Sequence, residues 1–248
     1  MASQLDMHGT LTAMQNDRQI KLCIGDLTTP LLVPESILIK TFNFFRGALK
    51  RKSMKEGFEG AISFPEDSLT PWKVLNFWMI NGEVPIQDCS NEDLVTAWYL
   101  ADKYQITQLQ DDLISELIEV GLNAIWSPKD HEEVLVHTTP DSLPRKWIAE
   151  LLMIRVKDGA GQGMSWNDLA AFQGDNDYAR DILEAAIAVE ENSLLVQKYI
   201  PTDADEEEKP LWLRYMTKET KGPRKMHEWG WARYESGQWY SSMSQTGN

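Results

Sequence analysis

The spacing of apolar residues changes period along the first half of the chain, and this limits the available folds more than any other feature. Gln19-Ile20-Lys21-Leu22-Cys23-Ile24 alternates polar and apolar side chains, the pattern of a half-buried strand. Gly25-Asp26 is a turn signal and Thr29–Val33 a second extended run, so a β-hairpin is predicted. After Pro34 the period lengthens. Ile37, Leu38, Phe42, Phe45, Ala48 and Leu49 fall near helical spacing, with Phe44 added, which predicts one or two strongly buried helices over Glu35–Lys50. Gly57 and Gly60 bracket a break, and Ala61-Ile62-Ser63-Phe64 reads as a short strand ending at Pro65. This third strand would complete a small sheet among helices.

Helical spacing then dominates. Thr70-Pro71-Trp72 offers a capping hydroxyl with proline at the first helical position, followed by Val74, Leu75, Phe77, Trp78 and Met79 and a stop at Asn81-Gly82. Ser90-Asn91-Glu92-Asp93 starts a helix with Leu94, Val95, Trp98, Tyr99, Ala101 and Tyr104 on one face. A further helix after Thr107 carries Leu109, Leu113, Ile114, Leu117 and Ile118, and Gly121 is read as the end of the compact unit. Trp72, Trp78, Trp98 and Tyr104 sit at helical spacing with other apolar residues, so they are read as core rather than as an interaction stripe.

The remainder divides by composition. Residues 1–17 have few apolar side chains and no clear period, and are expected to form a flexible arm. Residues 121–200 are expected to be a helical extension. Within it Asp141-Ser142 caps a helix that turns Trp147, Ile148, Leu151 and Leu152 inward, and residues 158–163 form a glycine-rich hinge. A long helix then runs from about Asn176 to the residue before Pro201. Residues 201–248 begin with a solvated acidic run, Thr202–Lys209, and continue as a Trp-rich tail. No internal repeat is visible.

Several function classes are disfavoured. Two cysteines, Cys23 and Cys89, are too few for a disulfide framework, so buried thiols in a reducing compartment are expected. No apolar stretch approaches the roughly 20 residues that span a bilayer, and Met1–Arg18 lacks the apolar centre of a signal peptide. The expected location is cytoplasmic or nuclear, with no membrane partner. A net charge of −14 repels phosphate backbones. Gly159, Gly161 and Gly163 follow a helix rather than a strand, so they read as a linker and not a phosphate cradle. The histidines at 8, 131, 137 and 227 are scattered and show no metal-ligand spacing. No catalytic residue, metal site or cofactor is assigned, and an enzyme is not expected.

The order hairpin, helices, strand, helix, helix pair is that of a BTB/POZ domain, and local segments agree with it. Val33-Pro34-Glu35-Ser36-Ile37-Leu38 stands where that family has an extended segment leading into a histidine and a leucine-rich helix, with proline here in place of the histidine. Phe42-Asn43-Phe44-Phe45-Arg46-Gly47-Ala48-Leu49 resembles its Ser-x-aromatic-Phe-x-x-Ala-Leu segment, with Phe42 for serine. Ile62-Ser63-Phe64-Pro65-Glu66-Asp67 looks like its strand and Leu-Pro-Glu-Asp turn. Phe77–Val84 is similar to its Trp-Leu-Tyr-Thr-Gly-x-Leu helix end, and Leu100–Gln110 to its Ala-Asp-Lys-Tyr-x-Ile-x-x-Leu-Gln fingerprint. The resemblance covers residues 18–120. Asp141–Lys146 also resembles a Ser-Pro-Leu-Arg element that follows the domain in many fungal members.

This resemblance implies an α+β fold, a small mixed sheet clasped by helices, to which the residue pattern adds a mainly helical C-terminal extension. It implies a protein-interaction scaffold or adaptor, in some members a substrate adaptor of a cullin-type ubiquitin ligase, and in some a homodimer. The ligase-recruiting pattern, hydrophobic-any-Glu before the third strand, falls on Met54-Lys55-Glu56. Met54 would be an adaptable apolar anchor and Glu56 a charge for a basic partner. The same tripeptide also arises by chance. The tail offers a second candidate: Trp229, Trp231 and Trp239 lie in or near residues 209–233, which carry seven Lys/Arg against two Glu. Such a segment packs back on its own helices, docks in a protein groove, or stacks on single-stranded nucleic acid. The neighbouring acids place nucleic acid last. A nucleic-acid-binding regulator acting through this tail is the alternative function.

Overall fold

The computed structural model describes residues 7–49, 54–123, 131–132, 135–158, 176–191 and 215–217. They are a mixture of helices and one small mixed sheet. The chain divides into two compact units, Met1–Leu113 and Ile114–Asn248.

In the first unit the sheet has the order β2-β1-β3. Strand β1 (Gln19–Ile24) pairs antiparallel with β2 (Leu31–Pro34), Gln19 opposite Pro34 and Leu22 opposite Leu31. On its other side β1 pairs in parallel with β3 (Ala61–Phe64), Lys21 opposite Ala61 and Ile24 opposite Phe64. The period-two pattern is realised directly. Ile20, Leu22, Ile24, Val33, Ile62 and Phe64 are all buried, because alternate residues of a strand share one face. A parallel pair needs a crossover connection, and helices α2 (Glu35–Thr41), α3 (Asn43–Ala48) and α4 (Lys55–Glu59) lie within the segment between β2 and β3.

Helices α5 (Leu69–Asn81) and α6 (Asn91–Lys103) pack against each other. Trp72, Trp78, Trp98 and Tyr104 are buried, as core residues should be. Phe64 lies 4.6 Å from Trp72 and 5.4 Å from Tyr104 between ring centroids, and Phe42 and Phe45 are 5.3 Å apart. These tilted and edge-on pairs let the ring quadrupoles attract. Ser90 accepts from Asp93 N while Asp93 accepts from Ser90 N, a complete capping box at the start of α6. Gly82 ends α5 in the left-handed conformation at φ 79°, which glycine adopts without a Cβ clash.

The second unit contains the end of α7 (Thr107–Asn123), α8 (Leu143–Asp158) and α9 (Asn176–Glu191). Ser142 accepts from Arg145 N at the start of α8, and Trp147, Ile148, Leu151 and Leu152 are buried as predicted. Helices α8 and α9 share a core of Ala149, Met153, Ile154, Ala185 and Val189.

Five readings need correction. Residues Met7–Asn16, within the expected arm, form helix α1, which lies against α2 and β2; tertiary support orders a segment that lacks an apolar period. Gly57 does not break the chain but lies inside α4, and only Gly60, at φ 69°, stops it. Helix α5 starts at Leu69 after Ser68, so Thr70 is not its cap and Pro71 is its third residue; proline tolerates the whole first turn, where no amide has an intrahelical partner. Helix α7 continues past Gly121 to Asn123. A Cβ on Gly121 would lie 2.9 Å from Leu151 Cδ2, so this glycine lies inside the helix and permits close helix packing. Cys23 and Cys89 are half-buried free thiols rather than buried ones. The hinge at 159–163, the predicted helix beyond Glu191 and the acidic run at 202–209 lie outside the described residues.

Candidate interaction surface

Helix α4 carries the Met54-Lys55-Glu56 candidate. Met54 is its N-cap, with extended backbone, and Phe58 N donates to Met54 O at 3.2 Å. Met54 is 51% exposed and Phe58 83%, so two large apolar side chains stand in solvent at α4, one at its N-cap and one in its last turn. Glu56 is half-buried in the first turn, where a carboxylate complements the positive helix end. Phe58, the more exposed of the two, is not in the tripeptide pattern.

Five helical residues cannot hold themselves together in water. Several contacts hold α4 in place. Lys55 pairs with Glu59 at 3.7 Å across one turn. Gly60 N donates to Glu56 O at 2.8 Å, and Lys21 N in β1 donates to Gly60 O at 2.9 Å. Arg18, just before β1, donates from Nη1 to Gly57 O at 2.7 Å and from Nη2 to Phe58 O at 3.0 Å. A guanidinium on these carbonyls satisfies two groups the last turn leaves open and complements its negative end. Nothing local announces Arg18, because its targets are 39 and 40 residues away.

Also in the first unit, motif segments are tied together by one carboxylate. Asp67, in the turn after β3, accepts from Lys103 Nζ at 2.7 Å, Trp72 Nε1 at 2.9 Å and Tyr104 Oη at 2.6 Å. Burial acts to raise the Asp67 carboxyl, but the hydrogen bonds from Lys103, Tyr104 and Trp72 outweigh it and hold the group below its ordinary range. The Tyr104 phenol moves upward, first through burial and then through its bond to Asp67. The protonated phenol donates to an ionised carboxylate, and half-exposed Lys103 offsets the charge. Trp78 Nε1 similarly donates to Asp112 Oδ2 at 2.7 Å, joining α5 to α7. These bonds link Pro65-Glu66-Asp67 to Ala101-Asp102-Lys103-Tyr104, two of the segments quoted above.

In the second unit, Asp141, Ser142, Arg145, Asp181 and Glu184 line a groove between α8 and α9. Arg145 is buried there, bonded to Asp181 and to Thr138 O. Of the described tail residues 215–217, Tyr215 and Met216 are buried. The Tyr215 ring is 5.1 Å from that of Trp147, and its hydroxyl bonds Glu150, so at this point the tail packs on its own unit. Trp229, Trp231 and Trp239 lie outside the described residues. His131 is a core histidine and His137 an exposed one.

Among the described residues, no group of three or more His, Cys, Asp or Glu is placed to hold a metal ion, and no helix is long and apolar enough to cross a membrane. No family model matches the chain, and no curated protein matches it.

Proposed function

We propose that this chain is a protein-interaction adaptor built on a BTB/POZ domain over residues 18–120, and that α4 is a docking element. The observation that carries the reading is the pair of exposed apolar side chains, Met54 and Phe58, on an element whose Gly57 and Phe58 carbonyls are bonded by Arg18. A Phe that is 83% exposed is the kind of apolar anchor that fills a pocket in a partner. The resemblance in residues 18–120 supplies the partner class, the N-terminal domain of a cullin, and the cell compartment in which it acts, cytoplasm or nucleus. The function is binding rather than chemistry: Asp67 and Tyr104, both shifted from their ordinary ionisation, are engaged with each other and with Trp72 and Lys103, as structural groups are.

The test is titration calorimetry of the purified protein with a cullin N-terminal domain. Phe58→Ala is expected to weaken binding about 30-fold, the effect of losing one anchor worth about 2 kcal/mol. Glu56→Lys also weakens it, by reversing the charge offered to a basic partner. No heat of binding with the unmodified protein refutes ligase recruitment. Light scattering at several concentrations tests the homodimer that the resemblance implies.

A further inference from the structure

The docking helix is held by a residue that belongs to a different part of the domain. Arg18 sits at the junction of α1 and β1, and its backbone is fixed there: Glu35 N donates to Arg18 O at 2.9 Å, and Arg18 N donates to Asp17 Oδ1 at 2.8 Å. The other Asp17 oxygen accepts from Ser36 N at 2.6 Å. The side chain crosses to α4 and spans two consecutive carbonyls, Gly57 O and Phe58 O. Glu35 Oε2, 3.8 Å from Nη1, orients it from behind. Gly60 makes room for it: a Cβ at that position would lie 2.6 Å from Arg18 Nη2. The contact is thus a fitted one, with a fork of donors, two acceptors, a carboxylate behind and a glycine that leaves the space.

We infer that Arg18 is the positioning residue of the docking helix, so that the α1–β1 junction and helix α4, with its exposed Phe58, are ordered together and loosening the first releases the second. This rests on the reading of α4 as a docking element. A five-residue helix has too few internal bonds to persist alone. Without the fork, the carbonyls of Gly57 and Phe58 turn to water and Phe58 is no longer held in one orientation. A partner must then pay the ordering cost on binding.

Hydrogen exchange by mass spectrometry on the full chain separates this inference from the reading beneath it. In Arg18→Ala the amides of Phe58 and Gly60, bonded to Met54 O and Glu56 O, should exchange about tenfold faster, while β1 amides keep their protection. Arg18→Lys keeps the charge but cannot span two carbonyls, and should show a smaller acceleration of the same amides; it also serves if the alanine variant does not fold. Binding to the cullin N-terminal domain should fall with the loss of protection. Unchanged exchange at Phe58 and Gly60 in both variants overturns the inference, and so does accelerated exchange with unchanged binding where Phe58→Ala does weaken it. Phe58→Ala, which leaves Arg18 in place, reports on the other question: if it binds like the unmodified protein, the docking assignment fails even where the exchange result holds.

Discussion

Replacing Asp67 with alanine removes the acceptor of three donors at once, and the structure sets the size of the effect. Trp72 Nε1 and Tyr104 Oη are buried and point at this carboxylate. Each stranded donor costs about 1–3 kcal/mol. Lys103 is half-exposed, so its ion pair adds no more than about 1 kcal/mol. The expected loss is about 3–5 kcal/mol, a large share of the roughly 5–15 kcal/mol that holds a domain folded. Asp67→Asn keeps one acceptor oxygen and should cost about half as much. Urea unfolding followed by tryptophan fluorescence measures both. The decisive comparison is a double-mutant cycle with Tyr104→Phe. Alone, Tyr104→Phe removes one bond and costs about 1–2 kcal/mol; in the Asp67→Ala background it removes a stranded hydroxyl and should cost almost nothing, a coupling of about 1–2 kcal/mol. Additive effects would show that the two residues do not support each other, and the account of the motif segments as one hydrogen-bonded hub would be wrong.

The hub also predicts a pH dependence. Asp67 is lowered in the folded state, so its contribution is complete above the unfolded carboxylate value of about 3.9 and drains as pH falls through the folded one; urea midpoints from pH 6 to 2.5 should fall more steeply below about pH 4 in the unmodified protein than in Asp67→Asn. Tyr104 is raised, so the opposite sign holds: its contribution is complete below about pH 10 and is lost as pH rises through the folded value, and Tyr104→Phe should flatten the alkaline decline. Gly121→Ala drives a Cβ to 2.9 Å from Leu151 and should cost about 1–2 kcal/mol. Gly47→Ala, in α3 with nothing within 4 Å, should gain about 0.5 kcal/mol; thermal melts of the pair test whether packing or helix propensity decides at each site. Arg145→Ala leaves buried Asp181 with only Arg180, at 3.6 Å, and should lower stability by about 3 kcal/mol, read from the unfolding of the second unit.

Local chemistry made much of the architecture legible. The alternation in Gln19–Ile24 and Ala61–Phe64 identifies two strands, and the capping residues Ser90 with Asp93, and Ser142, mark two helix starts. The buried tryptophans Trp72, Trp78 and Trp98 follow from helical spacing. Each of these signals lies within one or two turns of chain, because strand period and helix caps are interactions between near neighbours in sequence. Met54 and Glu56 are visible as a pattern, but Phe58, the most exposed large apolar side chain of α4, is not part of it.

Contacts between distant segments leave no such local record and are set by the folded chain. The pairing of β3 with β1 in parallel, the support of α1 by α2 and β2, and the function of Gly121 as a contact surface for Leu151 have no local signature. Arg18 reaches carbonyls 39 and 40 residues away, and Asp67 gathers donors from up to 37 residues away. Short helices and buried carboxylates depend on such partners, since neither internal hydrogen bonds nor water can supply what they need. A local pattern records which residues want a partner; only the folded chain brings that partner within 3 Å.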